Sequence, residues 1–77
     1  MNKSLDAMLI EAAHATGPLT NSYRIIDYMK NRKFYNIPMP GHVSRRIQQL
    51  GIARPTGRKI QFDRARSSTI NEYEVPR

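Results

Sequence analysis

Cysteine and tryptophan are absent from this 77-residue chain, acids are scarce, and the apolar residues never gather into a long run. Without cysteine, neither a disulfide nor a thiolate metal site can brace the fold. Two histidines, His14 and His42, are too few to hold a structural zinc ion by themselves. No apolar stretch approaches the roughly 20 residues that a membrane span requires. Neither a metal, nor a cofactor, nor a membrane is therefore expected as a partner. The amino-terminal MNKSLDAMLIEAAHA has the outline of a signal peptide, but Asp6 and Glu11 interrupt its apolar region. A cytoplasmic, nucleoid-associated location is expected instead. The length allows one domain, residues 1–77, near the lower limit for a single core built from Leu, Ile, Met, Val, Phe and Tyr.

The shortage of acids is uneven along the chain. Lys and Arg number 13 against 6 Asp and Glu, giving a net charge of +7 and a pI near 10.4. The first 27 residues are near neutral, with Lys3 and Arg24 against Asp6, Glu11 and Asp27. From Tyr28 to Arg66 the cations are Lys30, Arg32, Lys33, Arg45, Arg46, Arg54, Arg58, Lys59, Arg64 and Arg66, and the only acid is Asp63. Such a concentration attracts a phosphate backbone whatever its base sequence. A solvated basic surface with no polyanionic partner would show the same totals.

Apolar periodicity divides the chain into helices and strands. Residues 4–16 read as a helix: Ser4 caps it, Asp6 suits its first turn, and Leu5, Met8, Leu9, Ala12 and Ala13 form one stripe. Gly17-Pro18 ends it, and His14 sits near its carboxyl end, where a structural role outweighs any ligand role. A second helix covers residues 21–32, capped by Thr20 or Asn21, with Ile25, Ile26 and Met29 turned inward. Tyr23 and Tyr28 cover its flanks, and Lys30, Arg32 and Lys33 crowd its last turn. Phe34 and Ile37, in the turn that follows, are expected to tuck into the core.

The third helix, residues 40–50, carries the chemistry. Pro40 suits a first helical turn, and Val43, Ile47 and Leu50 recur at i, i+4 and i+7. At about 100° per residue, Ser44, Arg45, Gln48 and Gln49 fall on the opposite side. Gly51 can adopt the left-handed conformation that closes the helix. A front of His42, Ser44, Arg45, Gln48 and Gln49 over an apolar back is the pattern of a helix that reads DNA bases. Gln48 and Gln49 are equally good helix formers on any solvated face. Beyond Gly51 the period changes to 2. Pro55-Thr56-Gly57 reads as a turn, Lys59 to Phe62 and Ile70 to Val75 as strands, and Asp63 to Thr69 as a polar, basic hairpin tip. The register of the last strand stays open, because Tyr73 and Val75 share one face and Ile70 lies on the other.

Three helices followed by a hairpin over residues 52–75 give an α+β order that resembles the winged helix-turn-helix domains. The segment GHVSRRIQQLG, Gly41 to Gly51, looks like the recognition helix of many winged-helix and transposase-type proteins. Gly17-Pro18-Leu19-Thr20 is similar to the link into their second helix. NEYEV, Asn71 to Val75, resembles the closing strand of a two-stranded wing, where a tyrosine anchors the hairpin. The resemblance implies a double-stranded DNA-binding regulator of transcription or another DNA transaction, of the small phage, plasmid or operon type. Arg45 would contact guanine, Gln48 or Gln49 adenine, and His42 and Ser44 base edges or phosphate. Lys30, Arg32, Lys33, Arg46, Arg58 and Lys59 would hold the backbone, the alternative for Arg46 being an ion pair with Asp27 or Asp63. The resemblance also implies that Arg64 and Arg66, with Ser67 and Ser68, reach the minor groove or backbone from the wing tip.

Two other readings compete. Winged helices also serve as protein–protein adaptors or inhibitors of larger nucleic-acid machines, and an RNA-binding module would want exposed aromatics on a sheet. A homodimer or a protein partner is expected to enlarge the modest interface of one small module. Enzymatic activity is not expected. Asp27, His42 and Ser44 include the residue types of a hydrolase triad, yet no glycine-rich elbow or phosphate loop accompanies them.

Overall fold

A computed structural model describes residues 4–34, 36–61 and 69–76. The first helix, α1, spans Leu5–Thr16, and the second, α2, spans Ser22–Asn31. The third, α3, spans Pro40–Gln49. Three strands complete the fold: β1 at Leu19–Thr20, β2 at Arg54–Gln61 and β3 at Thr69–Glu74. The architecture is α+β, with one antiparallel sheet in the order β1-β3-β2.

Capping fixes where the first two helices begin. Ser4 Oγ accepts from the Ala7 amide at 3.1 Å, satisfying one of the amides a helix start leaves open. Asn21 does the same for α2, its Oδ1 accepting from the Arg24 amide at 2.9 Å. Of the two candidate caps for α2, Asn21 is the one used. Thr20 is buried and its hydroxyl lies 2.7 Å from that of Thr16. Helix α3 has no such cap: Met39 occupies the N-cap without a side-chain hydrogen bond, and Pro40 opens the first turn.

Helices α2 and α3 both end in the same left-handed motif. At α3 the Ile52 amide donates to the Ile47 carbonyl and the Gly51 amide to that of Gln48, each at 3.1 Å. Gly51 has φ 70°, which costs glycine nothing. At α2 the Phe34 and Lys33 amides donate to the Met29 and Lys30 carbonyls. Here Lys33 takes the left-handed position, with φ 57°.

The core lies where the three helices meet the sheet. Met8, Leu9, Ala12 and Ala13 from α1, Ile25, Ile26 and Met29 from α2, and Val43 and Ile47 from α3 are buried together. Ala53, Tyr73 and Val75 close it from the carboxyl-terminal half. Phe34, Ile37 and Leu50 pack half-buried against this cluster, as do Leu5, Tyr28 and Ile52.

Three features differ from the sequence reading. The sheet has three strands, not two, because Leu19 and Thr20 pair with Glu74 and Tyr73. Pro55-Thr56-Gly57 is no turn but part of β2, at an irregularity between Pro55 and Lys59 where Gly57 has φ 84°. Pro55 is tolerated because β2 is an edge strand, so its missing amide breaks no second ladder. Strand β2 consequently starts at Arg54, not Lys59. The open register resolves in favour of Tyr73 and Val75, which are buried, while Ile70 pairs with Ile60 across the hairpin, both half-buried. Among the described residues, no helix is long and apolar enough to cross a membrane.

Candidate nucleic-acid interface

The orientation of α3 follows from what it buries. Val43 and Ile47 are fully covered, so residues half a turn away must face outward. His42, Arg45, Gln48 and Gln49 are exposed, and Ser44 is half-buried. The front anticipated from the sequence is thus assembled on one surface, with Ser44 more sheltered than its neighbours. The terminal amide of Gln48 is held in place: its Nε2 donates to the Ser44 carbonyl at 3.0 Å and to the Tyr73 hydroxyl at 3.4 Å. This contact joins the front of α3 to β3.

The two adjacent arginines of α3 have opposite fates. Arg46 turns back to α1, where its Nε and Nη2 donate to the two carboxylate oxygens of Asp6 at 2.9 and 2.7 Å. The Asp6 hydrogen bond and charge raise the Arg46 pKa, and Arg46 in turn holds the Asp6 carboxyl below its ordinary value of 3.8. Arg46 Nη1 also donates to Gln49 Oε1 at 3.2 Å. Arg45, one residue earlier, makes no ion pair among the described residues and stands in solvent.

Other cations divide in the same way. Arg32, at the end of α2, lies 3.4 Å from Glu11, which also accepts from the Tyr28 hydroxyl at 2.7 Å. That bond raises the Tyr28 pKa, because losing the phenolic proton would break it and set two negative charges together. Arg54 pairs with Glu74 across the hairpin at 2.8 Å. By contrast, Lys30, Lys33, Arg58 and Lys59 are exposed and form no ion pair among the described residues. Lys30 and Lys33 stand at the end of α2, and Arg58 and Lys59 in β2. Arg64, Arg66, Ser67 and Ser68 lie outside the described residues, as does Phe62.

The paired set therefore ties elements together, and the unpaired set leaves charge facing outward. Arg46, Arg32 and Arg54 each link segments distant in the chain, so much of their charge is already neutralised. The Asp6–Arg46 pair spans 40 positions and left no signal in the sequence. Neither did the contact of Tyr73 with Gln48, which local periodicity cannot reveal. Among the described residues no group of three or more His, Asp or Glu side chains could hold a metal ion. Comparison of the chain with protein-family models, curated proteins and solved structures finds no match.

Proposed function

We propose that this chain binds double-stranded DNA as a small winged-helix regulator, with α3 in the major groove. The observation that carries this reading is the outward, unpaired Arg45 set among His42, Gln48 and Gln49 on a helix whose back is buried. A guanidinium free of acids can make the bidentate contact to guanine O6 and N7, and a glutamine amide matches the adenine edge. Hairpin β2–β3 follows α3 directly, and its exposed Arg58 and Lys59 would lie on the sugar–phosphate backbone as a wing does. The third strand does not alter this reading, because β1 only pairs with the far side of β3.

Salt dependence is the first test. If Lys30, Lys33, Arg58 and Lys59 each neutralise a phosphate, affinity for a duplex falls with salt at a log–log slope of roughly −3 to −4. A slope near zero in fluorescence anisotropy titrations contradicts the proposal.

Lys33 offers a sharper variant. A non-glycine residue in the left-handed region costs about 1 kcal/mol, which glycine would recover. Lys33→Gly is expected to raise the melting temperature, yet to weaken duplex binding and shallow the salt slope by about one unit. A stabilised variant with unchanged binding and slope would remove Lys33 from the interface.

A further inference from the structure

Met39 is the most exposed of the large apolar side chains among the described residues, at 76%, against 43% for Leu19 and 39% for Ile10. Its position makes the exposure informative. It is the N-cap of α3, where Ser, Thr, Asp or Asn would each bond a first-turn amide, and it makes no such bond. Its neighbours Phe34 and Ile37 are half-buried against the core, whereas Met39 is not. Neither capping nor packing accounts for an apolar residue here.

The backbone at this point is nonetheless well defined. Pro38 precedes Met39 and Pro40 follows it, and a residue before proline is confined to extended conformations. Met39 accordingly has φ −68° and ψ 153°. Its flexible thioether side chain is thus presented from a restrained backbone, at the amino-terminal tip of α3. The first turn of α3 contains no acid, so nothing on the helix repels a polyanion at that end. His42 follows within the same first turn and is exposed.

We infer that Met39 is a specificity-determining residue that packs against a thymine C5-methyl group in the major groove, six residues ahead of Arg45 along α3. The inference rests on the DNA-binding reading above. The amino-terminal residues of a recognition helix are the ones that approach base edges. Among major-groove features, the thymine methyl is the apolar one, and apolar side chains recognise it. Methionine adapts its shape to such a surface.

The chemistry isolates the contact to a single group. Deoxyuridine pairs as thymidine does but lacks the methyl. Duplexes retained by the wild-type protein from a random pool would be resynthesised with each thymine replaced singly by deoxyuridine. Burying one methyl group corresponds to about fourfold in affinity. At one position, the wild type should bind the deoxyuridine duplex about fourfold more weakly. Met39→Ala should bind the two duplexes equally, and Met39→Leu should restore most of the difference. Because Met39 is exposed, all three proteins should share one melting temperature. A wild type indifferent to every replacement overturns the inference while leaving DNA binding intact. So does a Met39→Ala protein that still discriminates at the same position. Failure to retain any duplex overturns both this inference and the reading on which it rests.

Discussion

Ile47→Ala is expected to lose about 2–5 kcal/mol of folding stability, the cost of deleting a buried aliphatic side chain and leaving a cavity. Ile47 is 0% exposed and belongs to the cluster containing Leu9, Ile25 and Met29. For a chain this small, total stability is on the order of 4–12 kcal/mol, so one such change removes a large fraction of it. Loss of duplex binding by Ile47→Ala would therefore report unfolding and not a lost contact. Urea denaturation followed by circular dichroism distinguishes the two. Gln48→Ala, one residue on and exposed, should shift the midpoint by no more than about 0.5 kcal/mol equivalent. Equal midpoints for Ile47→Ala and wild type would contradict the placement of α3 against the core.

Tyr73→Ala is the second large effect. Tyr73 is 2% exposed and lies on the central strand, facing Thr20 of β1 and Pro55 of β2 in register. Removing a buried aromatic ring typically costs about 3–5 kcal/mol. The loss should fall first on the sheet, because β3 pairs with both other strands. Tyr73→Phe keeps the ring and deletes only a hydroxyl whose partner, Gln48, stands at 3.4 Å. Its cost should be about 1 kcal/mol or less. Hydrogen exchange of the β3 amides would register the difference between the two variants. If Tyr73→Phe proved as destabilising as Tyr73→Ala, the hydroxyl and not the ring would be the anchor.

The three helices were legible because each has an apolar stripe at helical spacing and a recognisable end. Ser4, Asn21, Gly17-Pro18 and Gly51 mark boundaries that the structure places within a residue or so. The front of α3 was legible for the same reason: once Val43 and Ile47 point inward, the positions of Arg45 and Gln48 follow. What escaped was non-local. Strand β1 has two residues, too few to show any period, and exists only because β3 pairs with it. Pro55 and Gly57 carry the chemistry of a turn, yet an edge strand can absorb both at an irregularity. The division of labour between Arg45 and Arg46 was half visible. Helical geometry put Arg46 at the flank of the apolar stripe, but its partner Asp6 lies on another helix. The sequence offers Arg46 either phosphate or a pair with Asp27 or Asp63. In the fold, its guanidinium is held by both oxygens of one carboxylate.

The role of Arg45 is tested most directly by a selection from a pool of random duplexes with wild type and Arg45→Ala side by side. A bidentate arginine–guanine contact is worth about 1–3 kcal/mol of discrimination, or roughly 5- to 150-fold at one base pair. The wild type is expected to enrich a motif containing a guanine whose preference Arg45→Ala loses, with the rest of the motif and the melting temperature retained. Identical motifs from the two proteins, or no enrichment by the wild type, would contradict a base-reading role for α3.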